Sequence, residues 1–458
     1  MGAHCATLRA VPMASTSPTH PETPEPPPLV VELDGVLAHT DTLHEGLLGL
    51  LKQKPYLAPA VLAWSLKGRA FLRAEVARRV ELDVARLPYD EALVTRLAEE
   101  KARGRKRVLA TASDRTVADA VATHLGLFDT VHASDGTQEL SGARREARLR
   151  ETLGERYEDV RPSPPSRSLP YSLFKALRVH QWAKNILVFV PMLAAHKALN
   201  LPLFLQALLG FISFSLCASS VYVLNDLLDL DSDRKHPTKR RRPFASGDLS
   251  VRAGLWLAPV LLAGGAAVAL LLPREFLALL GTYYAITLGY SFYLKQVAML
   301  DVLVLAGLYT VRIFGGSLAV GVPTSSWLFT FSMFLFLSLA LVKRLSEVRR
   351  LRLANEEAAP GRGYMAGDYE QLASLGVSSG YLSVLVLALY ITSKEVTALY
   401  AYPERLWLLC PVMMYWVGRV WLLAHRGQVN EDPLVFALKD KVSYAVGLIA
   451  AGVLLVAT

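Results

Sequence analysis

Cysteine is nearly missing from this chain: Cys5, Cys217 and Cys410 are the only three in 458 residues, far apart from one another. That excludes a disulfide scaffold and a cysteine-based zinc site. Cys217 and Cys410 fall in apolar runs, where a free thiol behaves as a small core residue. The N-terminus lacks the apolar stretch of a secretory leader. In its place residues 1–28 are rich in Pro, Ser and Thr, with Pro-Glu-Thr-Pro-Glu-Pro-Pro-Pro at 21–28, and read as a disordered tail. Charge is sparse, 19% of residues against 52% hydrophobic. The net charge of +9 comes with no nucleic-acid-binding motif, which leaves nucleic acid out as a partner.

What is present is unevenly spread. Residues 29–158 carry Arg and Glu among short apolar runs and read as soluble α/β. Residues 159–170 form a Pro/Ser linker. From 171 onward apolar runs dominate, near 184–199, 201–224, 253–272, 275–293, 299–320, 326–342, 377–398, 405–424 and 441–458. These predict an all-α polytopic membrane domain of about nine spans. Cations gather in alternate connections: 234–242, Lys295, Lys343 to Arg352, and Arg426 to Lys441. The positive-inside rule then places those connections, and the soluble N-terminal domain, in the cytoplasm, with the chain crossing the cell's inner (plasma) membrane.

The stretch richest in chemistry is Asn225-Asp226-Leu227-Leu228-Asp229-Leu230-Asp231-Ser232-Asp233, followed by Arg234 and on to Lys239 and Arg242-Pro243. On a continuous helix Asp226, Asp229 and Asp233 share a face, with Asn225 beside them. Carboxylates so close repel one another unless a cation sits between them, so the set Asn225, Asp226, Asp229 and Asp233 predicts Mg²⁺ bridging to a phosphorylated substrate. A charged juxtamembrane loop that only sets topology is the plainer alternative.

Other polar groups fall at the same end of the spans: Lys184 and Asn185 leading into the first, Tyr290 and Lys295 before the fifth, Lys343 and Arg344 after the sixth, and Asp432 and Asp440 after the eighth. Within the fifth span Asp301, Leu305, Leu308 and Arg312 step along one face, with Asp301 and Arg312 roughly 16 Å apart. An arginine that deep needs an interior cavity or an anionic partner. The sequence therefore predicts a cavity in which Asp226, Asp229, Asp233, Lys295 and Asp301 are catalytic. Lys184, Asn225, Asn185, Arg234, Lys239, Arg242, Tyr290, Arg312, Lys343 and Arg344 would bind substrate.

Asn225-Asp226-x-x-Asp229-x-x-x-Asp233, followed by His236-Pro237, Lys239 and Arg242-Pro243, resembles the first aspartate motif of the UbiA superfamily of intramembrane prenyltransferases, over about 175–458. His180-Gln181-Trp182-x-Lys184-Asn185, Tyr290-Ser291-x-x-Leu294-Lys295, Asp301-Val302, Arg312 with Gly315-Gly316, Lys343-Arg344 and Asp432-Pro433 with Asp440 are similar to the decaprenyl-phosphate phosphoribosyltransferase branch. The resemblance implies nine transmembrane helices around a cavity open to the cytoplasm, a Mg²⁺ cofactor, and a lipid-facing tunnel for a polyprenyl tail. One departure matters. Aromatic prenyltransferases of the superfamily carry a second Asp-x-x-x-Asp motif, whereas Asp301 is followed four residues later by Leu305. That favours transfer of phosphoribose from phosphoribosyl pyrophosphate to a polyprenyl phosphate. Prenylation of an aromatic or quinone acceptor from a prenyl diphosphate is the alternative. Membrane lipids are partners in either case.

In the soluble part, Leu29-Val-Val-Glu-Leu-Asp-Gly and Arg107-Val-Leu-Ala-Thr-Ala-Ser-Asp read as two strands ending in polar residues. The pattern resembles the haloacid dehalogenase (HAD) phosphotransferases, a Rossmann-like fold, in degenerate form. Glu32 stands where the family's nucleophilic Asp belongs, one methylene too long for in-line attack. Asp34 and Thr111 match the acid/base and phosphate-binding positions. Ser141 or an arginine among Arg144 and Arg145 stands where a lysine is expected, and the terminal acidic pair looks missing, with Tyr157-Glu158-Asp159 running straight into the linker. The resemblance thus implies a pseudoenzyme or regulatory module. Two further hypotheses remain open: a membrane-tethered phosphatase, and a transporter or anchor that would not depend on Asp226 or Asp229.

Overall fold

The computed structural model describes residues 26–164, 167–323, 325–358, 362–429 and 432–458. Most of the expected tail, with Cys5, and also Glu431 lie outside the described residues. The chain divides into two compact units, Met1–Gly46 with Tyr56–Ser163, and Leu47–Pro55 with Pro164–Thr458.

The first unit is built on four parallel strands in the order β3-β2-β1-β4: β1 (Leu29–Val31), β2 (Arg107–Asp114), β3 (Thr130–Ser134) and β4 (Glu158–Asp159). Helices α2 (Ala58–Leu66), α3 (Arg69–Ala77), α4 (Glu91–Ala102), α5 (Arg115–Leu125) and α6 (Gly142–Leu153) connect them, with α1 (Thr42–Gln53) belonging to the second unit from Leu47 on. β1 and nearly all of β2 are buried, as expected of central parallel strands covered on both faces. Asp90 and Asp114 cap α4 and α5 by accepting from the Leu93 and Thr116 amides, and Gly126 in the left-handed region ends α5. One reading is corrected here. Glu158 and Asp159 do not run straight into the linker; they form the short edge strand β4 beside β1. Two residues are too few to show an alternating pattern.

The second unit is helical: α7 (Leu169–Ala176), a 3₁₀ stretch Val179–Phe189, α8 (Val190–Ala194), α9 (Leu201–Leu228), α10 (Leu230–Lys235), α11 (Val251–Ala269), α12 (Arg274–Phe292), α13 (Leu300–Val320), α14 (Ser326–Ala354), α15 (Tyr369–Ile391), α16 (Lys394–Leu399), α17 (Leu409–His425), α18 (Pro433–Ala437) and α19 (Lys441–Ala457). Among the described residues six helices are long and apolar enough to cross a membrane, rather than the nine runs read from sequence. The first run, 184–199, contains Pro191 and His196-Lys197 and breaks into the 3₁₀ stretch and the short α8. α12 is diluted by Tyr283, Tyr284, Thr287, Tyr290 and Ser291, and α19 has only 17 residues.

Two glycines decide how closely the helices approach. A Cβ on Gly316 of α13 would lie 2.1 Å from the Val188 carbonyl oxygen, and one on Gly315 would lie 2.6 Å from the Phe214 ring. Only glycine lets α13 press against the 3₁₀ stretch and α9 at this level. That packing sets the register of the cavity wall.

Candidate functional site

The second unit encloses a cavity of about 510 Å³. Ten predicted residues line it: Lys184, Asn225, Asp226, Asp229, Lys239, Arg242, Tyr290, Lys295, Arg312 and Lys343. They come from six separate stretches of chain, so the polar clusters that sequence placed at one end of the spans do share one chamber.

The first aspartate group is not laid out as a straight helix. α9 ends at Leu228, and Asp229 at the junction leaves helical geometry (φ −104°, ψ 15°) before α10 begins. Asp226 and Asp233 nevertheless stay close, because one Nη1 of Arg242 reaches both, at 3.1 and 2.6 Å. Asp226 also pairs with Arg178. Asp229 accepts from Lys52 Nζ at 3.0 Å, Lys52 lying in the stretch Leu47–Pro55 of the helical unit. Asp233 is buried and does not line the cavity. Among the described residues no three His, Cys, Asp or Glu side chains are gathered to hold a metal, so the predicted four-ligand set is not assembled. The donors at the wall are two carboxylates and an amide, Asp226, Asp229 and Asn225. That set suits magnesium, which takes one or two protein carboxylates and completes its shell with water and substrate phosphate.

Arg312 is held on every side by neutral partners. It is 5% exposed. Its Nε donates to Asn185 Oδ1 at 2.8 Å, its Nη2 to the Tyr283 hydroxyl at 2.8 Å, and its Nη1 to the Leu308 carbonyl. The guanidinium also lies 5.0 Å from the Tyr283 ring centroid and 5.6 Å from that of Tyr309. Among the described residues no carboxylate pairs with it. Asn185 is thus a support behind the wall, itself held by Ser215 Oγ at 2.9 Å.

Opposite charges meet again around Asp432, which accepts from Lys184 Nζ at 2.7 Å and the Tyr309 hydroxyl at 3.0 Å, with Lys343 Nζ at 3.7 Å. Burial alone would raise its pKa, but the two lysines outweigh burial and hold it at about 2. Burial lowers the Lys295 ammonium.

Asp301 departs from its expected place. It is fully buried, pairs with Arg344 Nε at 2.7 Å, accepts from the Tyr364 hydroxyl, and does not line the cavity. It lies in the first turn of α13, where Arg344 of α14 captures it, while Leu305, Leu308 and Arg312 of the same stripe do face the chamber. Arg344 is also behind the wall, tied to Glu347 and reaching the Tyr290 hydroxyl at 3.3 Å. Arg234 turns to the Ala245 carbonyl. These side chains position others.

Sequence reasoning missed Arg178, Tyr309 and Arg362, all of which line the cavity. Tyr309 had a usable signal, three residues before Arg312 on one helical face. Arg178 had none, since its left-handed backbone (φ 51°) is visible only in the structure.

In the first unit the residues aligned with the phosphotransferase pattern are packed against cations. Asp34 accepts from Ser113 Oγ at 2.9 Å, the Thr42 amide at 3.0 Å and Arg73 Nη1 at 3.2 Å. Glu32 lies 3.5 Å from Arg145 Nε, and Arg145 also grips Asp159. Thr111 is fully buried and donates to Ser113 Oγ. Burial pushes the Glu32 and Asp34 pKa values up.

Residues 186–438 match the UbiA prenyltransferase family. The chain is 35% identical to "Uncharacterized protein y4nM" of Sinorhizobium fredii, over 94% of this chain and 91% of that protein. It is 38% identical to "Nodulation protein NoeC" of Azorhizobium caulinodans, over 59% of this chain and 89% of that one. To "Decaprenyl-phosphate phosphoribosyltransferase" of Mycobacterium tuberculosis it is 35% identical, over 42% of this chain and 64% of that one. With more than half of its residues in the family match and, among the described residues, six helices long and apolar enough to cross a membrane, this chain belongs to the UbiA prenyltransferase family and is an integral membrane transferase.

Proposed function

We propose that the helical unit transfers phosphoribose from phosphoribosyl pyrophosphate to a polyprenyl phosphate. One observation carries the reading: among the described residues Arg312 is buried at the cavity wall with no carboxylate of its own, in a chamber lined by nine Lys and Arg side chains and four carboxylates. A buried unpaired guanidinium is costly, and a surplus of cations inside a membrane protein calls for an anionic ligand. Two phosphorylated substrates bring several phosphates together. The resemblance to the phosphoribosyltransferase branch and the missing second Asp-x-x-x-Asp motif support the same choice.

In this mechanism the C1–oxygen bond to pyrophosphate breaks, and a phosphate oxygen of the lipid forms the new bond to C1. The transition state is oxocarbenium-like, so catalysis is alignment plus neutralisation of the leaving group. Asn225, Asp226 and Asp229 would hold magnesium, which supplies positive charge to the diphosphate. Arg242, Lys239 and Lys295 bind phosphate oxygens on the same wall. Lys184 and Lys343, held ready by Asp432 and Tyr309, offer a second anion cradle. Arg312 anchors whichever phosphate penetrates deepest. The cation-rich end faces the cytoplasm, with the chain in the inner membrane, by the positive-inside rule.

The test is Mg²⁺-dependent transfer of label from phosphoribosyl pyrophosphate to decaprenyl phosphate in membranes containing the full chain. Transfer of a prenyl group to an aromatic acceptor, with none from phosphoribosyl pyrophosphate, would establish the prenyltransferase alternative. Function undisturbed by Asp226→Asn and Asp229→Asn would point to an anchor or transporter.

The first unit we read as a HAD-like module whose site is occupied by its own arginines, Arg73 on Asp34 and Arg145 against Glu32. It is a pseudoenzyme under this reading. The full chain should show no p-nitrophenyl phosphatase activity that Asp34→Ala removes.

A further inference from the structure

α7 is an eight-residue helix with two unlike sides. Ser172 and Ala176 are buried, while Leu169, Tyr171 and Phe174 are 59%, 52% and 60% exposed. Tyr171 and Phe174, three positions apart, share the side opposite Ser172 and Ala176 and in water would hold an apolar face open, which soluble surfaces avoid. Lys175 at the end of α7 donates to the Arg241 carbonyl at 2.7 Å, which ties α7 to the basic loop after α10.

That loop divides its cations. Lys239 and Arg242 turn to the cavity, and Arg234 bonds the Ala245 carbonyl. Arg240 and Arg241 point outward, exposed, and no carboxylate among the described residues pairs with them. Two exposed aromatics lie near helix ends: Trp256, 73% exposed in the second turn of α11, and Tyr293, 68% exposed just past the C-terminus of α12. Aromatic rings and cations together at the ends of membrane helices mark the headgroup level.

We propose that α7 and the outward cations of the loop form a platform for acidic phospholipid, with Tyr171 and Phe174 in the acyl boundary and Arg240 and Arg241 on the headgroup phosphates. The choice of lipid rests on charge complementarity and on the short distance along the chain, fewer than ten residues, from this loop to the end of α9 and the start of α11. A short amphipathic helix flanked by cations lies in the interface plane and binds through both terms. The platform rests on the membrane reading of the helical unit and not on the identity of the transferred group.

The test uses the full chain in nanodiscs of phosphatidylcholine with and without phosphatidylglycerol. A nitroxide is placed at Phe174→Cys after Cys5, Cys217 and Cys410 are changed to Ala. It should be more accessible to oxygen than to a water-soluble nickel chelate; the reverse overturns the proposal. Independently, Arg240→Gln with Arg241→Gln should lower phosphatidylglycerol retention, read by native mass spectrometry, by about tenfold, with the difference shrinking at high salt. Retention equal to that of the unmodified chain also overturns it. The double variant changes only exposed side chains, so folding does not confound this second measurement.

Discussion

Asn185 Oδ1 and Arg312 Nε, 127 positions apart in sequence, are joined by a 2.8 Å hydrogen bond inside the protein. The amide fixes the guanidinium without neutralising it. A carboxylate in its place would also fix the side chain but would cancel the charge offered to substrate. That difference separates a positioning residue from a counterion.

Asn185→Asp should therefore leave thermal stability near that of the unmodified chain yet raise the KM for the phosphorylated substrate, because the new carboxylate competes with phosphate for Arg312. Asn185→Ala should instead cost about 1–3 kcal/mol of stability, the usual penalty for stranding a buried donor. Labelled-substrate kinetics and thermal unfolding in detergent separate the two.

Arg312→Lys is expected to retain little activity. An ammonium cannot satisfy the amide, the tyrosine hydroxyl and the helix carbonyl at once with a planar fork. Loss of one charge-assisted bond of this kind costs on the order of 10²-fold in kcat/KM. Wild-type rates in this variant would remove Arg312 from the mechanism.

Gly316→Ala places a methyl 2.1 Å from the Val188 carbonyl oxygen. Backbone must give way there, so destabilisation of about 1–3 kcal/mol is expected. Activity per folded molecule should fall as well, because Asn185 and Arg312 sit on the two segments forced apart. Chemical unfolding with parallel transfer assays checks both.

Asp301→Asn should be read first in stability, since Arg344 would stay fully buried with less compensation. Breaking such a pair costs on the order of 3 kcal/mol. Unchanged unfolding with abolished chemistry would return Asp301 to the catalytic role expected from sequence.

Asp432 gives a pH dependence. Its folded-state pKa of about 2 lies below the ordinary 3.8. A depressed carboxylate adds stability that is fully present above the ordinary value and is lost as pH falls from near 4 toward 2. Asp432→Asn should flatten that part of an acid-unfolding curve measured in detergent.

Much of this architecture was legible in the chain itself. The parallel α/β unit and the long apolar helices follow from pattern and composition. So does the gathering of Lys184, Asn225, Tyr290 and Lys343, since each sits at the same end of its run, while Arg312 is marked by its depth in an apolar run. Of the nine apolar runs, six form helices long and apolar enough to cross a membrane among the described residues. Hydropathy alone does not register that Pro191 and His196-Lys197 break the first run, or that the polar face of α12 serves the cavity. β4 was too short to announce itself.

Sequence by itself determined where the charges are: acids after α9, cations in alternate connections, one arginine deep in α13. Those positions follow from the cost of placing charge in an apolar medium, which acts along the chain and leaves a linear record. Only the tertiary structure decided which charges meet. Arg344 claims Asp301, Arg242 bridges Asp226 and Asp233, and Arg312 is left without a carboxylate. Such pairings depend on how closely helices distant in sequence approach. For Arg312 and Asn185 that approach is set by the glycines at 315 and 316, whose missing side chains carry no charge pattern to read.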